Sequence, residues 1–148
     1  MSTLNAPTTR QMNLGLTILR VVVGAVFIAH GAQKFFVYGL PGTEGAFAHM
    51  GIPAPALSAA LVAAVELLGG AALVLGFYTR IAAWLLAVDM LGALVLVHLK
   101  NGFFLPAGSE FELTLLAASI PLALAGAGAV SVDNMLRSRA RTALGKAA

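Results

Sequence analysis

Four apolar stretches, separated by glycine, proline and charge, divide the chain: Leu14–Phe36, Ala56–Phe77, Ile81–Leu99 and Phe111–Val130. Each runs for roughly 19–23 residues, and about 20 helical residues cross a hydrocarbon core of ~30 Å. No water is available there to satisfy backbone polar groups, so the pattern predicts four membrane-spanning helices. The first stretch is too long for a signal-peptide core and has no small-residue cleavage site after it, which makes it a retained helix. Between the first two stretches the pattern breaks over Val37–Pro55, where Gly39, Pro41, Gly42, Gly45, Gly51, Pro53 and Pro55 predict a long loop. Tyr78, Thr79 and Arg80 predict a tight turn, and Asn101-Gly102 with Pro106-Ala107-Gly108 predict a second outer loop. Pro121 falls inside the fourth stretch and predicts a kink.

Composition agrees with the pattern. Of 148 residues 59% are apolar and only 10% charged, with a mean hydropathy of +0.92. A soluble domain carries about 25% charged residues, so this chain reads as one membrane domain over 1–148 whose solvent is the lipid bilayer. There is no cysteine, which excludes thiol relays and cysteine-ligated metal but leaves quinone, haem and flavin chemistry open. The net charge is +3. Four basic residues, Arg137, Arg139, Arg141 and Lys146, lie in a tail over 134–148. A basic tail after a span sets topology or touches anionic headgroups, which argues against a nucleic-acid partner.

Four spans place both termini on one side. That side would carry Arg10, Arg80, Arg137, Arg139, Arg141 and Lys146, against Lys34 and Lys100 on the other, so the positive-inside rule predicts cytoplasmic termini. A weak repeat accompanies this arrangement. The first span ends in His30-Gly-Ala-Gln-Lys34-Phe-Phe and the third in His98-Leu-Lys100-Asn-Gly-Phe-Phe. Two copies of a helical hairpin would give it, and so would chance among the aromatic and basic residues that collect at membrane boundaries.

Ionisable groups inside a span are costly and face the bundle interior. Arg20, Glu66 and Asp89 lie at depths of roughly 10, 16 and 13 Å from the inner ends, counted at ~1.5 Å per residue. This predicts a pairing of Arg20 with Glu66 or with Asp89, as a helix-locking ion pair or as the polar floor of a ligand cavity. A second group collects at the outer rim: His30 and Lys34 on the first span, His98 and Lys100 on the third, Glu110 and Glu112 on the fourth. Taken singly, the lysines snorkel and the glutamates offset a helix N-terminus. Together they suit a quinone-type site, with His or Lys donating to a carbonyl and a carboxylate exchanging the proton. Two histidines ending neighbouring helices also allow haem or metal, although no His-x-x-His or Glu-x-x-His spacing supports a metal. The buried charges could equally serve solute or proton transport.

Leu19-Arg20, Gly24 and His30-Gly31-x-x-Lys34 resemble the first helix of the DoxX family. So do Glu66-x-x-Gly69-Gly70 with Gly76 in the second span, His98 with Asn101-Gly102-Phe103-Phe104, and Glu112 with Gly126-x-Gly128-x-x-Ser131-x-Asp133. The resemblance runs over about Leu14–Asp133. It implies an all-α, four-helix bundle in the bacterial inner membrane, associated with quinone-dependent oxidase or thiosulfate:quinone oxidoreductase systems and with resistance to quinone stress. By matched position it singles out Arg20, Lys34, Glu66, His98 and Glu112, whereas Asp89 belongs to none of these motifs.

The combined expectation is a membrane oxidoreductase component that binds a quinone or similar lipophilic redox molecule. Glu66, His98 and Glu112 would handle protons, and Arg20, His30, Lys34, His98 and Lys100 would contact the ligand. The alternatives are an anchor for a partner oxidoreductase subunit and a small proton-coupled transporter, and under any of these readings the chain could form a homo-oligomer.

Overall fold

The computed structural model describes residues 7–145, so Lys146 of the expected basic tail lies outside the described residues. Among the described residues six α-helices follow one another: α1 Thr9–Ala32, α2 Gly39–Met50, α3 Pro55–Leu75, α4 Thr79–Ala93, α5 Glu110–Ala125 and α6 Val132–Gly145. There is no strand among the described residues.

Local chemistry sets the boundaries. Thr8 and Gln11 form a reciprocal capping box at the start of α1. Pro55 opens α3 at its first turn, where the missing N–H is no loss. Gly76, with φ of +69°, stops α3 in the left-handed conformation that a side chain would resist. The Asp133 carboxylate accepts from Tyr78 N at 2.8 Å and Thr79 N at 3.1 Å, which caps α4 from a distant part of the chain.

Among the described residues three continuous helical segments are long and apolar enough to cross a membrane: Thr9–Val37, Pro55–Leu75 and Thr79–Asn101. The fourth expected span, Phe111–Val130, is only partly helical. α5 has 16 residues and runs through Pro121 to Ala125, and the chain then leaves the helix at Gly126, whose φ of +86° and ψ of −161° are not helical. The expected loop over Val37–Pro55 is also corrected, because 12 of its residues form α2. Pro41 falls in the first turn of that helix, where proline is tolerated, and Gly51 ends it with φ of +76°. Proline and glycine counted as breakers without regard to position hide such a helix. The basic tail, likewise, is helical as α6 over most of its length.

The long helices pack in a closed order: α1 on α3, α3 on α4, α4 on α5 and α5 on α1, with α2 against α3. Val23 and Phe27 of α1, Leu73 of α3, Leu86 and Met90 of α4 and Leu115 and Leu122 of α5 share one core. Large apolar side chains face outward along the same helices, among them Leu14, Ile18, Val22, Leu61, Leu68, Val88 and Val95. In water they would be a liability; in a bilayer they are the solvent-matched surface.

Glycines fix the register of α1 on α3. A Cβ on Gly24 would sit 2.7 Å from Gly70 O and one on Gly31 would sit 2.5 Å from Leu67 N, so the backbones touch at both levels. Gly24 therefore faces Gly70 to Val74 and Gly31 faces Leu67, an antiparallel pairing. Arg20, one turn before Gly24, reaches the C-terminal end of α3. Lys34, nearly one turn after Gly31, comes level with Glu66.

Candidate functional site

A cavity of about 730 Å³ lies between α1, α3, α4 and α5, with α2 contributing to its wall. Phe27, Phe47, Met50, Val62, Phe111 and Leu115 supply apolar lining, and His30, Lys34, Glu66, Asp89, His98 and Glu112 supply the polar groups. Ligand pockets for small organic molecules have this size and this mixture of apolar wall and few polar groups.

Two basic–acidic side-chain pairs reach the cavity from opposite halves of the fold. Lys34 Nζ donates to Glu66 Oε2 at 2.6 Å, joining the C-terminal end of α1 to the middle of α3. His98 Nε2 lies 3.2 Å from Glu112 Oε1, joining the segment after α4 to the first turn of α5. Lys34 and His98 each sit in a widened turn. Residues Gln33–Val37 and Leu94–His98 are π-helical, closed by Tyr38 N to Gln33 O at 3.0 Å and by Leu99 N to Leu94 O. A π turn adds one residue to the helical cycle and re-aims the side chains around it. The repeated pattern of the sequence thus corresponds to a repeated backbone feature at the C-terminal ends of α1 and α4.

The histidines are oriented by backbone. His98 Nδ1 donates to Ala107 O at 3.0 Å and His30 Nδ1 donates to Val26 O at 2.9 Å. A carbonyl can only accept, so both rings carry a proton on Nδ1. The contact between His98 Nε2 and Glu112 Oε1 then holds one proton between the two residues, as imidazolium with carboxylate or as imidazole with carboxylic acid. The His30 ring also stacks at a tilt on Phe111, with centroids 5.3 Å apart. Asp89 lines the same cavity, and its Oδ2 is buried without a hydrogen-bond partner, as is Glu112 Oε2. Among the described residues no group of three or more His, Asp or Glu side chains is arranged to hold a metal ion.

Six of the residues singled out from sequence, His30, Lys34, Glu66, Asp89, His98 and Glu112, come together here. Three do not. Lys100 is exposed and outside the cavity lining. Arg20 is 3% exposed but lies at the other end of α3. Its Nη1 donates to Leu73 O and Val74 O and its Nη2 to Val130 O, each at 2.7 Å. This corrects the expected pairing of Arg20 with Glu66 or Asp89, since the register of α1 on α3 carries Arg20 toward the α3 C-terminus. Arg20 instead satisfies carbonyls that a helix end leaves without partners. Glu110 is a loop anchor as well, accepting from Leu105 N at 2.8 Å. Asp89 is the site residue that motif matching passed over. Its signal was physical: a carboxylate in the middle of an apolar stretch.

The sequence pattern of the DoxX family matches residues 15–99. The chain is 37% identical over 124 residues to a Bacillus subtilis protein named "Putative oxidoreductase CatD", covering 84% of this chain and 88% of that one. It is 37% identical over 133 residues to an uncharacterized membrane protein of Mycobacterium tuberculosis, with 82% and 81% covered. It is 32% identical over 124 residues to the inner membrane protein YphA of Escherichia coli, with 80% and 87% covered. No solved structure matches the chain. A family match over more than half the chain, relatives aligned along most of their length and three apolar spans agree on one conclusion: the chain belongs to the DoxX family and is a multi-pass protein of the inner membrane.

Proposed function

We propose that this protein is a component of a membrane oxidoreductase system and that its cavity holds the ring of a quinone or similar lipophilic redox molecule. One observation carries the reading. Two basic–acidic pairs, Lys34–Glu66 and His98–Glu112, meet at a single largely apolar cavity from the two halves of the fold. Structural ion pairs that only lock helices do not need 730 Å³ of space between them. The oxidoreductase name of one relative points the same way.

The roles follow from the atoms. Lys34 has three N–H groups and places one on Glu66, so it has donors left for a ligand oxygen. His98 and Glu112 hold a proton between them that can pass to or from a ligand oxygen without separating bare charges in an apolar medium. Phe27, Phe47 and Phe111 give the flat ring apolar walls. Electrons would come from, or go to, a partner, since the chain's own residues carry no redox group.

The test is equilibrium binding of a short-chain benzoquinone to the detergent-purified protein. Binding should weaken about tenfold or more in His98→Ala, which removes a hydrogen-bonding ring, and in Glu66→Gln, which removes the charge that positions Lys34. Binding that is unchanged in both variants rules the assignment out.

The reading includes a topology in which α5 is a fourth, short span and both termini are cytoplasmic. The absence of cysteine makes this direct to measure, because single cysteines placed at Thr3, Asn101 and Ser138 report sidedness without background. Thr3 and Ser138 should label from the cytoplasmic side and Asn101 from the other.

A further inference from the structure

The hydrogen-bonding valences left open around the cavity are uneven. Glu66 Oε2 is occupied by Lys34, and Glu112 Oε1 by His98. Asp89 Oδ2 and Glu112 Oε2 are buried with no partner among the described residues, and both side chains line the cavity. His30 donates through Nδ1 to Val26 O, so Nε2 is the ring nitrogen left to meet a ligand. Beside these three positions stands Lys34, which has N–H groups to spare after its bond to Glu66.

A buried carboxyl oxygen without a partner is unfavourable and calls for one. A dicarbonyl ring can accept from Lys34, but it has no hydrogen to give to Asp89, Glu112 or His30. A ring hydroxyl both donates and accepts. It therefore satisfies a carboxylate oxygen, a carboxylic acid or an imidazole nitrogen, whichever protonation state each holds. We infer that the site selects the reduced, dihydroxy-aromatic form of its ligand over the oxidised dicarbonyl form, with Asp89 and Glu112 as the groups that make the distinction. This rests on the quinone-site reading above. It goes beyond that reading by assigning the redox form that is bound and by giving Asp89 a binding role.

Three probes sharing one ring test it: a short-chain benzoquinone, its hydroquinone and the dimethyl ether of that hydroquinone. They are measured anaerobically against the full-length protein in lipid nanodiscs. The hydroquinone should bind about tenfold or more tightly than the quinone, since a site built around hydroxyl groups rejects the analogue that lacks them. The dimethyl ether, which fills the same space without a donor, should bind no better than the quinone. In Asp89→Asn the amide supplies N–H groups to a carbonyl, so the preference should fall to about threefold or less, mainly through tighter quinone binding.

Each contrary result has a distinct meaning. A quinone that binds as tightly as the hydroquinone overturns the selectivity and leaves the quinone site standing. Failure of all three probes to bind overturns the site itself. A preference that survives intact in Asp89→Asn removes Asp89 from the assignment. The three-probe comparison on the unmodified protein decides the main point without any variant.

Discussion

The two ends of α3 show how differently one small fold treats buried charge. At the end near Gly76, Arg20 and Asp133 turn to backbone: Arg20 makes three hydrogen bonds to carbonyls, and Asp133 caps the N-terminus of α4. Their charges join helix ends that would otherwise carry orphan groups. At the cavity, Lys34, Glu66, His98 and Glu112 turn to one another, and Asp89 Oδ2 has no partner. Arg20 at 3% exposure and Glu66 at 3% are equally buried, so burial does not separate them. What separates them is the partner. A charge placed on backbone holds the fold, and a charge placed on another side chain beside open space is available to a ligand.

That contrast predicts a graded series. The largest loss of stability should come from Arg20→Met, which leaves Val74 O and Val130 O without their partner and Leu73 O with only Gly76 N, and costs about 2–5 kcal/mol. Thermal unfolding in detergent should show it, while quinone binding per folded molecule stays unchanged. Gly31→Ala should come next, because the added methyl meets Leu67 backbone rather than a movable side chain. Overpacking of this kind costs about 1–3 kcal/mol, and here it should also weaken binding by pushing Lys34 away from Glu66. Asp133→Ala removes the α4 cap for about 1 kcal/mol and should leave binding as it was. The smallest change in stability belongs to the double variant Lys34→Met with Glu66→Gln. Replacing both members of a buried pair with neutral residues is often neutral within about 1 kcal/mol, yet binding should drop about tenfold or more. If that double variant unfolds as readily as Arg20→Met, the distinction between the two ends fails.

Much of the fold was legible because the membrane simplifies the code. Long apolar runs must be helices, so three of the expected spans match α1, α3 and α4 with the turns that follow them. α2 was hidden because its glycines and Pro41 carry the composition of a loop, and only their positions reveal a helix. The end of α5 was misplaced because Gly126-Ala127-Gly128 is apolar enough to extend a hydropathy run while its backbone leaves the helix. His30, Lys34, Glu66, His98 and Glu112 could be found from residue type and depth. Depth along a span says nothing about register between spans, however. Gly24, Gly31 and Gly70 set that register, and it sent Arg20 to the end of α3 instead of to Glu66. Asp89 was visible as an intramembrane acid, and what it lacked was a motif to vouch for it.

The contact between Gly24 and Gly31 of α1 and their partners on α3 also ranks the kinds of change this stretch should tolerate. Ala25 and Ala29 face outward and can exchange for other apolar residues with little effect. An insertion or deletion between Gly24 and Gly31 is another matter. One residue more turns everything beyond it by about 100° and shifts it by about 1.5 Å, so Gly31 leaves Leu67 and Lys34 leaves Glu66 together. In this stretch chain length is held more tightly than most side-chain identities.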